Sequence, residues 1–461
     1  MSSNPNIIII GGGITGLAAA YRLEQLAPNA QITLLEASNR IGGKLWSEDV
    51  HGFTVELGAD SFLSRKPRGI GLCEELGLST ELIGRRPENK RTFVKRNGTL
   101  HDLPEGLTGL VPTNIDALAK SSLISAAGRE RLAQETEIPA RLGDDDESLT
   151  SFMTRRMGHE VYSQLIEPLM SGIYGGNGDK LSLLATFPQL RQIEKKHGSL
   201  LKGLGQTSPK PSPYPPFISM RQGMGSLPKL VSARLKTTQV KLNSPAQSIT
   251  RTGTGYRVTL TNGQSETADK ILLTTPAFVT AQLTATLDQE LAHTHSQIEH
   301  GSSVTLTLGY KQSEIDHPLN GYGYVIPGVE KADVLACTWT SSKWANRAPQ
   351  EHVAIRVFLG KVGRRPIIDT PLEEITALAQ AELQDTLGIT AEPIMTKLSR
   401  WRNGMPQYML GHLDRVTTIE KRVAQLENFA VAGAPYRGVG IPDCIRSGEQ
   451  AAQQLIQTKI S

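Results

Sequence analysis

Four isoleucines in a row, Ile7 to Ile10, leave no polar face, so this segment reads as a strand buried on both sides. It runs into Gly11-Gly12-Gly13-Ile14-Thr15-Gly16 and then into Leu17-Ala18-Ala19-Ala20-Tyr21-Arg22-Leu23, a helix by composition. A second apolar run, Ile32-Thr33-Leu34-Leu35, ends at Glu36. Beyond it the pattern changes. Residues about 65–200 read mainly helical, and Leu149 to Met170 carries apolar residues at helical spacing, with Asp146 and Ser148 as candidate caps. Prolines 209, 211, 213, 215 and 216 mark a loop, and Gly223-Met224-Gly225-Ser226-Leu227 opens another helix. Residues 238–275 break into short strands, with Gly253-x-Gly255 and Asn262-Gly263 as turn signals. Residues 303–310 and 353–359 alternate as half-buried strands do, and 371–388 is an amphipathic helix ending at Gly388. Phe429-Ala430-Val431-Ala432-Gly433 is a last strand, and a helix starts at Ile441. No internal repeat is visible.

The order strand, glycine turn, helix, strand, acid is that of a dinucleotide site. Gly11 permits the tight turn, Gly13 lets the backbone approach a pyrophosphate, and Gly16 lets helix and strand pack closely. The helix N-terminus then faces the phosphates with free N–H groups. Glu36 can accept from both hydroxyls of an adenosine ribose and would repel a 2′-phosphate, which selects FAD or NAD over NADP. Ala37-Ser38-Asn39-Arg40-Ile41-Gly42-Gly43-Lys44 follows, and its cations can add charge-assisted contacts to the phosphates. Nicotinamide dehydrogenases do not usually carry this extension. It is common in flavoproteins that resemble monoamine oxidases, so FAD is the expected ligand.

At 461 residues the chain is too long for one ordinary core, and two or three domains are expected. No apolar run approaches a membrane span, and strand begins almost at the N-terminus, so neither a signal nor a transit peptide is expected. Cys73, Cys337 and Cys444 are scattered and odd in number, which indicates no disulfide framework, no zinc site and a cytoplasmic setting. His293-x-His295, the closest histidine pair, is expected on a polar helix surface rather than at a metal. A net charge of +4 is mild, but Arg65-Lys66-Pro67-Arg68 and the basic stretch 85–96 are concentrated enough to attract an anion. No nucleic-acid module is visible, and no nucleic-acid partner is expected.

Three further segments extend the pattern. In Glu56-Leu57-Gly58-Ala59-Asp60-Ser61, small residues let backbone pass close to a flat ring. Trp401-Arg402 leads to Met405-Pro406-Gln407-Tyr408. Gly433 to Asp443 joins the last strand to the last helix, whose N-terminus could face the pyrimidine edge of a flavin and stabilise its reduced, anionic form.

With these in place the chain resembles, along essentially its whole length, the FAD-dependent protoporphyrinogen/coproporphyrinogen oxidases of haem synthesis, especially the soluble type of Gram-positive bacteria. The motifs are GGGITGLAAA at 11–20, EASNRIGGK at 36–44, ELGADSFL at 56–63, LIEPLMSGIYGG at 165–176, DKLSLLATFPQ at 179–189, ACTWTSSKW at 336–344, RWRNGMPQY at 400–408 and GVGIPDCIRSG at 438–448. The first two are shared by many flavin amine oxidases; LIEPLMSGIYGG and GVGIPDC are far more specific. Ala59 stands where the family often has proline, and Ala246 where it commonly has a valine touching adenine through its backbone.

The resemblance implies an α/β architecture: a Rossmann-like FAD-binding domain assembled from discontinuous segments, with an inserted α+β substrate domain and a mainly helical domain. The FAD-binding domain is expected from 1–65, 222–280 and 416–461. The helical domain, facing membrane or covering the active site, is expected over 80–200. The substrate domain and connections would take 66–79, 201–221 and 281–415. Non-covalent FAD would be held by Gly11, Gly12, Gly13, Ile14, Thr15, Gly16, Glu36, Ala37, Lys44, Gly58, Ala59, Asp60, Ser61, Ala246, Trp401, Val439, Gly440 and Ile441. Arg68 sits where the family often places a cation for a propionate.

The implied reaction is the six-electron oxidation of coproporphyrinogen III to coproporphyrin III, with molecular oxygen reduced to hydrogen peroxide. Protoporphyrinogen IX is the alternative substrate. The basic clusters favour the more anionic of the two. Aromatisation drives the reaction, so no strong general base is needed and no catalytic side chain is assigned. Expected partners are the porphyrinogen and oxygen, with room for peripheral membrane contact and for contact with the next haem-pathway enzyme. Two other readings compete: another flavin amine oxidase, with Trp401 and Tyr408 as an aromatic cage, and a non-catalytic binder built on the same fold.

Overall fold

The computed structural model describes residues 4–108, 111–205, 212–253, 255–360 and 366–457. The proline-rich loop therefore lies partly outside the described residues, as does the middle of Gly253-x-Gly255. Its centre is a five-stranded parallel sheet made from β1 (Asn6–Ile10), β2 (Gln31–Leu35), β3 (Gln239–Lys241), β4 (Lys270–Leu273) and β5 (Phe429–Val431), in the order β3-β2-β1-β4-β5. Ile8 faces Thr33 on one side and Ile271 on the other.

The isoleucine run is explained by two cores. Ile7 and Ile9 pack with Leu17, Leu23, Ile445 and Ala452 from α1 (Ile14–Leu26) and α2 (Ile441–Gln457). Ile8 and Ile10 pack on the other face with Ile249, Tyr256 and Val258. Those residues belong to an antiparallel meander, Ala246–Thr252, Gly255–Leu260 and Ser265–Ala268. Its second turn is made by Asn262-Gly263, with Gly263 at φ +84°.

A seven-stranded sheet lies between these segments in the chain. Its order is Met395–Pro406, His300–Lys311, His352–Leu359, Val334–Trp339, Gly323–Val325, Phe93–Arg96, Thr99–Asp102. The helix Leu372–Leu387 covers it with Ile375, Ala379, Leu383 and Leu387, and Gly388 at φ +67° ends the helix.

Four features refine or differ from the expectations. Residues 80–200 are not all helical, because Phe93–Arg96 and Thr99–Asp102 form the edge of the large sheet. Phe93 and Val94 point into two different cores, and the surrounding charges hid that alternation. Leu149 to Met170 is not one helix. Ser148 caps Leu149–Met157, as expected, but Gly158 at φ +87° breaks the run before it resumes through a π turn, Tyr162–Ile166. Pro67–Glu75, expected with the substrate domain, is a helix that buries Ile70, Leu72 and Cys73 in the α1–α2 core. Phe217–Met220 pairs with Phe62–Leu63 and Leu82–Gly84 in a three-stranded sheet.

Candidate active site

The glycine turn is built as its spacing requires. Gly11 adopts φ +115°, and its carbonyl accepts from Thr274 Oγ1 at 2.9 Å. A Cβ on Gly16 would overlap Gly11 O, so helix and turn can meet only at a glycine there. Gly13 caps α1 through its backbone, with no side chain over the helix end, and a Cβ on Gly13 would meet nothing within 4 Å. That combination is an open cradle at a helix N-terminus. Gly42 N donates to Gly12 O at 2.8 Å, which lays the segment Ile41–Lys44 beside the turn.

Glu36 follows β2 directly. Its Oε2 accepts from Gly12 N at 2.7 Å, and its Oε1 accepts from Ser38 N and Ser38 Oγ at 2.8 and 2.7 Å. Oε1 is thereby filled, and Oε2 keeps room for one ribose hydroxyl rather than both. Ala37 is exposed beside it, and Ala246 begins the meander two residues after Ser244, whose N–H donates to Glu36 O at 2.9 Å. Arg40 is not available to phosphates. It donates to Gly43 O at 2.8 Å and stacks on Trp46 at 4.0 Å, so it shapes its own loop. Lys44 and Ala59 are accessible although Leu45 and Leu57 beside them are buried. Exposure beside buried neighbours suits the wall of a cleft, and the burial around Lys44 lowers its pKa.

The segment Leu57–Ser61 is held from the seven-stranded sheet. Leu57 O accepts from Ser399 Oγ at 2.8 Å and from Trp401 Nε1 at 2.5 Å. Gly58 O accepts from Arg356 at 2.9 Å. Asp60 accepts from Lys343 Nζ at 2.7 Å, Trp344 Nε1 at 3.1 Å and Ser61 Oγ at 2.7 Å. Burial alone would raise the Asp60 pKa, but Lys343 and Ser61 hold it well below the usual carboxylate range. Lys343 and Trp344 belong to ACTWTSSKW, a motif legible in the sequence but without a role there. Trp401 meets Trp46 edge to face at 6.4 Å.

The last loop is held from below by polar contacts. Gly438 adopts φ +131° with Asp443 beneath it, and Lys66 pairs with Asp443 within reach of Gly440. Val439 and Gly440 are half-buried and Ile441 starts α2. Tyr408 is fully buried below the loop. Its hydroxyl donates to Ala434 O at 2.5 Å and accepts from Gly438 N at 2.8 Å, and its ring stacks on His412 at 4.0 Å. It is a pillar, not an open cage wall. His412 Nε2 reaches Tyr436 O at 2.8 Å, and His295 Nε2 reaches the Tyr436 hydroxyl at 3.0 Å. His295 is therefore core, not helix surface as expected from His293-x-His295.

Burial pushes both His295 and His412 down to about 4, so both are neutral in the folded protein at neutral pH. The unfolded chain binds protons at these positions below about 6.5, where the native state does not. Stability is then fully present above that pH and falls as pH drops towards 4. His300 is pushed down to about 4 as well, so His295→Gln with His412→Gln should reduce the slope in that window, in denaturation curves taken at stepped pH, without abolishing it. An unchanged slope would assign the acid sensitivity elsewhere.

Arg68 stands in a different arrangement from the one expected. Its guanidinium donates to Glu449 at 2.6 and 2.5 Å and to Glu75 at 2.8 Å, and Arg22 shares both acids. Two carboxylates already occupy it, so its work is to knit Pro67–Glu75 and α1 to α2. Arg68→Ala should cost about 1–2 kcal/mol of stability and leave substrate KM unchanged. A raised KM with an unchanged melting curve would restore it as an anion ligand. The cations of 85–96 are also largely occupied: Arg86 by Glu88, Arg91 by Asp102, Lys95 by Glu382 and Asp385, and Arg96 by Glu330.

The cradle at Gly13, the carboxylate at Glu36, the cleft at Lys44 and Ala59 and the helix start at Ile441 suit one elongated dinucleotide carrying a flat ring. Glu36→Ala should weaken FAD binding by roughly 1.5–3 kcal/mol, since it removes a ribose acceptor and the partner of Gly12 N. Titration of the apo-protein would read this as a ten- to hundredfold rise in Kd. Wild-type affinity would remove Glu36 from the site.

Among the described residues no helix is long and apolar enough to cross a membrane. The chain is 36% identical to a coproporphyrinogen III oxidase of Bacillus subtilis, over 98% of each chain. It is 32% identical to the one of Staphylococcus aureus, over 98% of this chain and 99% of that one. A crystal structure from Exiguobacterium sp. 255-15, provisionally named a protoporphyrinogen oxidase, covers all of both chains at 33% identity with a TM-score of 0.90. The family model of the flavin containing amine oxidoreductases matches residues 14–456, and the chain belongs to that family.

Proposed function

We propose that the protein is an FAD-dependent oxidase that converts coproporphyrinogen III to coproporphyrin III. The observation that carries this reading is the 36% identity, end to end, with a protein named for that reaction. When bound, FAD supplies the two-electron acceptor and passes the electrons to oxygen. Three such rounds remove six electrons and six protons from the porphyrinogen and yield three molecules of peroxide.

The chain's own residues would do the rest. Gly11, Gly12, Gly13, Ile14, Thr15 and Gly16 would cradle the pyrophosphate, Glu36 the ribose, and Lys44 would add positive charge. Ala37 and Ala246 would contact the adenosine end. Gly58, Ala59, Asp60, Ser61 and Trp401 would border the ring, and Val439, Gly440 and Ile441 would face its pyrimidine edge. Of the cations at 65–68, Arg68 is held by Glu449 and Glu75, and Lys66, beside the loop at Gly440, is held by Asp443, so a propionate would have to compete with a carboxylate at either. With FAD bound, the segments 58–61 and 438–441 would border the ring and help to exclude water from it.

A side-by-side assay of coproporphyrinogen III and protoporphyrinogen IX, following porphyrin fluorescence and peroxide, tests the proposal. Higher kcat/KM with the tetracarboxylate is expected. Turnover of amines with neither porphyrinogen oxidised would overturn it. The flavin should leave with the supernatant on acid precipitation. Cys444 is buried against Val439 O, and Cys73 and Cys337 are buried as well.

A further inference from the structure

Arg356 lies in the middle of the seven-stranded sheet and is only 4% exposed. Its Nη2 donates to Gly58 O at 2.9 Å and to Thr305 Oγ1 at 3.2 Å. Its Nε has no hydrogen-bond partner, and among the described residues it pairs with no carboxylate. Two acids are near enough to act on it, Asp60 and Glu56. Both are committed elsewhere. Asp60 is held by Lys343, Trp344 and Ser61. Glu56 accepts from Ser47 Oγ at 2.5 Å and Met224 N at 2.8 Å, with Arg347 3.5 Å away.

A buried guanidinium without an acid of its own is costly. Taking an unpaired charge out of water works against folding, so stability alone gives no reason to keep it. What Arg356 does touch is the carbonyl that leads into Ala59, the accessible residue of the cleft. In a poorly solvated interior a fixed positive charge there couples to any charge that develops nearby.

We propose that Arg356 is a positioning residue with an electrostatic role: it fixes Gly58 against the cleft and favours the reduced, anionic form of the flavin bound there. This rests on the flavin reading of the cleft, not on which porphyrinogen is oxidised. Arginine suits the place, since its guanidinium reaches both Gly58 O and Thr305 Oγ1 from within the sheet.

The test is the midpoint potential of the purified holoprotein, measured by dye-equilibrated reduction without porphyrinogen, with FAD Kd from apo-protein titration. The variants are Arg356→Gln, Arg356→Met and Arg356→Lys. Either neutral variant should lower the reduced-to-oxidised ratio at fixed potential about tenfold, which is about 30 mV for a two-electron couple. Arg356→Lys should recover more than half of that shift while binding FAD more weakly, because an ammonium cannot reproduce the fork to Gly58. A neutral variant that folds and keeps the wild-type potential would overturn the proposal. So would equal potentials for the neutral and lysine variants. Failure of both neutral variants to fold, beside a folded lysine variant, would make the charge a requirement of folding and also overturn it. A wild-type protein that holds no FAD would instead remove the flavin reading itself.

Discussion

Gly13→Val is expected to give folded protein that retains no flavin. The backbone at Gly13 is extended, at φ −71° and ψ 176°, a conformation valine adopts readily. Its Cβ would enter space where no protein atom lies within 4 Å, so nothing in the fold opposes it. The branch would instead stand where the turn admits a pyrophosphate at backbone distance. A loss of at least a hundredfold in FAD affinity is expected, about 3 kcal/mol, with melting close to that of wild-type apo-protein. Gly16→Ala is the contrasting variant, because its Cβ would overlap Gly11 O and damage the turn itself. Fully flavinated Gly13→Val protein would remove the cradle assignment.

Lys343→Met should destabilise the protein by about 3 kcal/mol. It would leave Asp60 with only Trp344 and Ser61, and stranding one partner of a half-buried, charged hydrogen bond costs that much. The Asp60 pKa should rise, since Lys343 is the main influence holding it down against burial. Asp60→Asn alone should cost less, and the double variant less than the two singles together. A coupling of at least 1 kcal/mol from the cycle is expected, and additivity within about 0.5 kcal/mol would show that the pair is not coupled. FAD content should fall with Lys343→Met if the segment that Asp60 anchors borders the ring as proposed.

The two halves of the molecule were unequally legible. Ile7–Ile10, the glycine turn, β2 and Glu36 are contiguous, and each constrains the next, so local rules suffice to read them. The meander is marked by Asn262-Gly263 and the long helix by Gly388, residues with one conformational job each. The supports of the site could not be read this way. Lys343 and Asp60 are 283 positions apart and meet only through tertiary folding. The pairing of Arg68 was hidden for the same reason, because the acids that hold it include Glu449, at the far end of the chain. Phe93–Arg96 was misread because a cationic strand between two cores resembles a solvated face. Lys95 looks free in the sequence, yet it is buried against Glu382 and Asp385.

The order β3-β2-β1-β4-β5 also bears on how the protein is made. Asn6 bonds Asp269 across 263 positions, and β5 and α2 come last of all. On a ribosome, β1 and β2 emerge first with Ile7 and Ile9 uncovered, and the surface that covers them is completed only when α2 has been synthesised. The inserted sheet is complete once residue 406 has been made, so it can close earlier. Nascent chains stopped before residue 429 should therefore hold a folded insert and an exposed isoleucine strand, which makes them clients for chaperones and substrates for proteases.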